Sequence, residues 1–394
     1  MNQFILKQYK DIKKSGLIAF NKKLMAVYYL IRLLYRHSRR QAWCIFDEVN
    51  LVCAIKYNFL YSKKVKPGKV NTAQSPRKII FFTCVWGSFV TYYERVLMKS
   101  LFQSGNIPAL LEQGYLIELC VYTQESDQLA VENIMKRYQD GLLDAQKQFL
   151  QIQLNYFPLP ILNRSQRQPH LKYALLRTMK WCIQENAYCF MALPEAFFGN
   201  NSVTNMVNLT MGRDLCIASL HLRVVDQKFL NLLQQSSGEL SNNTLVSMSL
   251  KCAHQGVLNS FINHDVNGSY STGLSIQPIT NTLFAVTFRM PNIFLASFHK
   301  SDITYFSKRT FNHWDHEWPE LLMKQRRYKV AGSSELFFAA ELTGEDSHWD
   351  ISLNKKQVYG NDSAQRHASH CFHTEIHRNF VMLLKGQEPL VISQ

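Results

Sequence analysis

Lys78-Ile-Ile-Phe-Phe-Thr-Cys-Val-Trp-Gly87 is the stretch whose reading decides the fold. Ser75-Pro76-Arg77 precedes it and Gly87-Ser88 ends it, so the apolar run has the length of one strand. A strand apolar on both faces must be covered on both faces, which predicts a mostly parallel sheet sandwiched between helices. Val90 to Gln103 then carries the spacing of an amphipathic helix. Strand, small-residue turn and helix open an α/β ligand-binding unit whose ligand sits at the carboxyl end of the strand. No GxGxxG and no GxxxxGK[ST] occurs, which argues against a dinucleotide site and a P-loop.

Outward from this strand the pattern repeats. A turn at Asn106-Ile107-Pro108, a strand over 115–122 and a helix over 127–140 follow. Then come a short strand over 157–161, a helix over 173–186 and a buried strand over 187–193 ended by Pro194-Glu195. A helix over 202–212 and a strand over 214–222 complete a doubly wound α/β half, residues 78–226. The next part, 227–345, reads as α+β: a helix over 245–254, loops over 263–282, and strands 284–290 and 293–298 as a hairpin turning at Pro291-Asn292. Two further strands are expected at 328–330 and 335–342, and residues 346–394 read as a tail.

The net charge of +15 is not spread over the fold. Residues 1–78 hold 17 Lys and Arg against 3 Asp and Glu, leaving a nearly neutral body. A nucleic-acid reader carries its charge on the fold itself, so that class is disfavoured. Residues 1–77 therefore read as a basic, helical extension with a linker over 62–77. Within it, 16–40 forms an amphipathic helix that either lies on an anionic membrane surface or packs on its own domain. The nine cysteines are scattered with no CxxC, which reads as core thiols in a reducing, cytoplasmic setting.

Taken together, 78–343 resembles bacterial glycosyltransferases of the GT-A type that serve polysaccharide biosynthesis. The resemblance rests on Phe82-Thr83-Cys84-Val85-Trp86-Gly87, Ser100-Leu101 with Gly105-Asn106-Ile107-Pro108-Ala109, and Tyr122-Thr123. It continues at Met191-Ala192-Leu193-Pro194-Glu195, Arg223, Phe298-His299 and Trp314-Asp315-His316. It implies a GT-A-like fold, a nucleotide-sugar donor at the ends of the first strands, and a glycan or lipid-linked acceptor on the C-terminal side. A location at the inner membrane surface follows if the basic helix binds lipid. Thr83, Cys84, Val85, Trp86, Gly87, Tyr122 and Thr123 would then line the donor, with Arg223 on a phosphate or, alternatively, in a salt bridge.

GT-A enzymes carry paired carboxylates that hold Mn²⁺ or Mg²⁺ against the donor diphosphate, and here Leu193-Pro194-Glu195 supplies one. Glu195 is thus either a metal ligand or a solvent-facing turn residue. His313-Trp-Asp315-His316-Glu317 offers a general base or metal ligands, with His299 on the same cleft, or else an aromatic loop whose Asp and His cap each other. The set Asp315, His316 and His299 is the catalytic expectation. Two rivals share these residues: a metal-dependent hydrolase centred on 313–317, and a degenerate transferase fold that only binds. His367, His370, His373 and His377 align if 365–379 is helical, but one helix presents at most two of them to one zinc.

Overall fold

The computed structural model describes residues 78–157, 164–210, 212, 215–258, 274–288, 292–308, 318, 321–322, 325, 327–345 and 380–387. The expected helices over 16–40 and 365–379, the linker over 62–77 and the 313–317 block lie outside these residues. So do the loop residues 263–273.

Strand β1, Ile79–Val85, pairs in parallel with β2, Ile117–Thr123, on one side and β4, Tyr188–Met191, on the other. Beyond β2 lies β3, Leu150–Tyr156, also parallel. Beyond β4 the order continues through β10 (Asn292–Ser297), β6 (Cys216–Ser219) and β11 (Tyr328–Val330). The seven-stranded sheet therefore runs β11-β6-β10-β4-β1-β2-β3, with β10 alone reversed. This is the mostly parallel α/β sheet that the first strand predicts, and it draws strands from both sides of residue 226.

Both faces are covered, as the apolar run of β1 requires. Ile79, Phe81 and Val85 face a core closed by the helical segments Phe89–Tyr92, Tyr93–Met98 and Lys99–Leu101, which run on as one helix, α1. The middle segment is π-wound, a local expansion often found beside functional sites. Helices α2 (Ile107–Glu112), α3 (Gln128–Asp140) and, after the one-turn α4 (Asp144–Lys147) and α5 (Arg164–Gln184), α6 (Ser202–Thr210) share that core. The opposite face is covered by α5, Arg164–Gln184, through a Cys120–Thr178 contact at 3.9 Å and Tyr122 edge-on to Tyr173.

A second sheet of three strands, β5 (Ala196–Phe198), β12 (Ala339–Thr343) and β7 (His221–Val225), turns Phe197, Leu222, Val224, Ala340 and Leu342 into a second core. Helices α7 (Asp226–Gln235) and α8 (Asn242–Lys251) close it, and the short α9, Gln255–Leu258, follows. A third sheet, β13-β9-β8, spans Phe380–Lys385, Leu283–Phe288 and Leu274–Pro278 and adds Ile276, Phe284, Val286 and Leu384.

Four expectations are corrected. The third strand of the sheet is Leu150–Tyr156, ahead of the expected 157–161, of which 158–161 lie outside the described residues; as the edge strand it alternates apolar and polar residues instead of running continuously apolar. The expected strand over 214–222 is two, because the chain steps at Leu220 from the first sheet into the second. The expected hairpin does not form: β9 pairs with β8 and β13, whereas β10 inserts between β4 and β6. The stretch read as a tail contributes β13.

Buried polar groups stitch the loops. Asn106, fully buried, donates to the carbonyls of Ser100 (2.8 Å) and Gly199 (3.1 Å) and accepts from Val203 N–H (3.0 Å). Beside it Ser202 Oγ donates to Asn242 Oδ1 at 2.7 Å and accepts from Phe338 N–H at 3.0 Å. Gly199 has no room for a side chain, since a Cβ there would stand 1.9 Å from Asn242 Oδ1. At the amino end of β1, Lys78 pairs with the buried Glu118 at 2.5 Å. Lys78→Met should lower stability by about 3–5 kcal/mol in urea melts, because a carboxylate is left buried without its partner. Adding Glu118→Leu should recover most of the loss. Asn106→Ala should cost about 2–4 kcal/mol by the same measurement, with three buried hydrogen bonds to the backbone lost.

Candidate functional site

In an open α/β sheet the ligand crevice lies beyond the carboxyl ends of the strands, where the strand order reverses. Here that point falls between β1 and β4. From β1 the order runs outward through β2 and β3 on one side, and through β4 on the other. The turn Trp86-Gly87-Ser88 leaves β1 and the turn Leu193-Pro194-Glu195 leaves β4, so these two segments flank the crevice.

Gly87 takes φ +56°, the left-handed region that a side chain disfavours, and its N–H donates to Asp127 Oδ2 at 2.8 Å. The exit of β1 is thereby tied to the exit of β2. Trp86, half-buried, stands edge-on to Phe89 (5.7 Å) and to Phe157 (5.6 Å), the residue that follows β3. Of the residues expected to line the donor, Trp86 and Gly87 reach the surface. Thr83, Cys84, Val85, Tyr122 and Thr123 do not: they are enclosed in the sheet and hold the strand ends in place.

Glu195, half-buried, enters β5, and its carbonyl accepts from Leu342 N–H at 2.9 Å. The second-sheet register puts Glu341 opposite both Ala196 and Arg223. Glu341 pairs with His221 Nε2 and, at 3.7 Å, with Arg223 Nε, while Asn292 of β10 meets His221 Nδ1 at 3.0 Å. Burial would raise the Glu341 carboxyl, but His221 and then Arg223 overcome it and hold the group down at about 2. The salt-bridge alternative for Arg223 is thus present, on a residue still one-third exposed. On the far side of Glu195, Tyr92 from α1 donates its hydroxyl to Asp226 Oδ2 at 2.7 Å. Burial first, then Asp226 and more weakly Glu195, push Tyr92 up to about 12, so its hydroxyl stays protonated.

His299 is not in this crevice. Because β10 is reversed, Asn292 lies at the carboxyl edge beside Ser219, while Ser297 pairs with Tyr188 at the start of β4. His299, two residues past Ser297, therefore emerges beyond the amino edge, itself roughly 17 Å from Asn292 at about 3.3 Å per residue along β10. There it opens helix α10, Lys300–Lys308, and its N–H donates to the buried Asp302 at 2.8 Å. Arg327 completes that structural knot at 3.1 Å from Asp302 Oδ2. Asp315 and His316 lie outside the described residues, as does the rest of the block on which the hydrolase reading rests. Among the described residues no three His, Cys, Asp or Glu side chains are placed to hold a metal ion.

Sequence reasoning missed Tyr92, Asp127, His221, Asp226 and Glu341. Asp226 had a local signal, an acid at the start of the amphipathic α7. The His221–Glu341 pairing spans 120 positions and had none. No family model matches this chain, and no curated protein matches it. Among the described residues no helix is long and apolar enough to cross a membrane.

The Glu341 carboxyl contributes stability that is fully present above its unfolded range and lost as pH falls toward about 2. Glu341→Gln should remove roughly 3 kcal/mol of stability at neutral pH. The variant should also flatten the acid limb of the urea-melt stability curve between about pH 5 and pH 2.

Proposed function

We propose that this chain is a glycosyltransferase of the GT-A type, moving a sugar from a nucleotide-sugar donor to a glycan or lipid-linked acceptor. The observation that supports it most is the reversal of strand order between β1 and β4, with the Gly87 turn leaving one strand and Glu195 following the other. A sheet of this kind without GxGxxG or a P-loop lacks the phosphate grips of dinucleotide enzymes and P-loop NTPases. Donor diphosphate at the crevice would lie between the α1 amino end and Glu195. The half-buried Trp86 offers an aromatic face at the same opening.

A divalent ion in such a site is held largely by substrate phosphate and by one or two carboxylates. Glu195 fits that modest role, and Mn²⁺ or Mg²⁺ bound there with the donor would neutralise charge on the leaving diphosphate. Arg223, level with Ala196 across β12, supplies a positive charge on the small sheet that follows β4. The acceptor would enter from the second-sheet side, where Asp226 and Tyr92 stand. Peripheral attachment to the inner membrane surface through the basic 16–40 segment belongs to the same proposal.

Thermal shift against UDP, GDP, CDP and dTDP, with and without Mn²⁺, tests the reading. Ligand at 100 times its Kd stabilises the native state by about 2.7 kcal/mol, a rise of a few degrees in Tm for a chain of this size. One nucleotide should raise Tm, Mn²⁺ should enlarge the rise, and Glu195→Gln should erase the Mn²⁺ part alone. A Tm that no nucleoside diphosphate moves would overturn the reading.

A further inference from the structure

Carboxylates near the strand ends that meet this crevice include Glu125 and Asp127 after β2, Glu195 after β4, Asp226 after β7 and Glu341 on β12. Their surroundings separate them. Asp127 is engaged in closing the β1 turn through Gly87 N–H. Glu341 is engaged by His221 and Arg223, which hold its carboxyl far below neutral pH and leave it too weak a base. Glu125 is exposed on a one-turn helical segment and has no partner fixing it across the crevice. Glu195 leaves β4 at the point of order reversal, on the diphosphate side.

Asp226 differs from all four. It is half-buried, follows β7 directly, and is fixed from two sides. Gln227 N–H donates to Oδ1 at 2.6 Å, and Tyr92 OH, from the helix that follows β1, donates to Oδ2 at 2.7 Å. The register brings it to the crevice. Leu342 bonds to the Glu195 carbonyl and lies opposite Val224, and Thr343 lies opposite Val225, so Asp226 stands just past the level of Glu195. Tyr92 is aimed there from the turn of α1 that runs into the π-wound segment. A carboxylate oriented by a protonated phenol keeps lone pairs for one more hydrogen bond, which is what proton removal from an incoming hydroxyl needs.

The geometry points to Asp226 as the general base of the transfer, with Tyr92 as its positioning residue; this rests on the transferase reading. In the step, the acceptor O–H proton passes to the Asp226 carboxylate as the acceptor oxygen bonds to the anomeric carbon. The bond from that carbon to the donor diphosphate breaks, and its electron pair leaves with the nucleoside diphosphate. The proton on Asp226 then returns to water. One displacement of this kind inverts the anomeric centre.

The test uses the full chain with water as acceptor, reading nucleoside diphosphate release from UDP-glucose, UDP-galactose, GDP-mannose and dTDP-rhamnose. Nucleoside diphosphate binding is read separately by calorimetry. Asp226→Asn should keep its Tm and bind nucleoside diphosphate within about twofold, while kcat falls by about 10²–10⁴ at little-changed KM. Asp226→Glu should recover part of kcat, and Tyr92→Phe should lower kcat without altering nucleotide affinity. An Asp226→Asn enzyme within threefold of wild-type kcat would overturn the assignment and leave the transferase reading standing. A wild-type chain that binds and cleaves none of the four donors would overturn both.

Discussion

The parallel pairing of β1 with β2 on one side and β4 on the other is the constraint from which the rest follows. β1 is apolar on both faces, so each face has to be covered, and helices packed above and below can join parallel strands only by crossing over. Crossovers on one face carry the chain outward through β2 and β3, and the crossover through α5 returns it on the other face to β4. The change of face opens the crevice. The polar groups assigned a role here lie at the ends of strands that this pairing fixes, on the small sheet docked against it, or, for Tyr92, on the helix that follows β1.

The reversed strand β10 is the second organising feature. Its insertion beside β4 brings Asn292 to the crevice edge next to His221, and sends His299 to the far edge. Phe294 in its middle packs on Phe198 and Phe337 at 5.9 and 4.6 Å, joining the large sheet to the small one through aromatic contact. The loops around Asn106, Gly199, Ser202 and Asn242 do the same work with hydrogen bonds. Buried amides of this kind specify one arrangement, because any slip leaves several polar groups without partners.

Much of the first half was legible because its strands announce themselves locally. Residues 79–85, 117–123 and 188–191 are short apolar runs closed by turn residues, and α3 and α5 carry helical spacing. β3 escaped because an edge strand with alternating glutamines looks like a polar loop. The second half was harder for a different reason: its pairings are long-range. Nothing local in Phe284 to Phe298 tells a hairpin from two strands that part into different sheets, and the nearer-neighbour solution was the wrong one. The candidate site divides along the same line. The Gly87 turn and Glu195 follow from strand ends, whereas Tyr92–Asp226 and His221–Glu341 join residues 134 and 120 positions apart.

The central claim is the place of the site, and hydrogen–deuterium exchange with and without a saturating nucleoside diphosphate tests it most directly. The account predicts slowed exchange in peptides covering 85–90, 123–127 and 192–196, with the amino edge at 297–302 unchanged. Protection confined to 297–302, or to peptides away from the β1 and β4 exits, would contradict it.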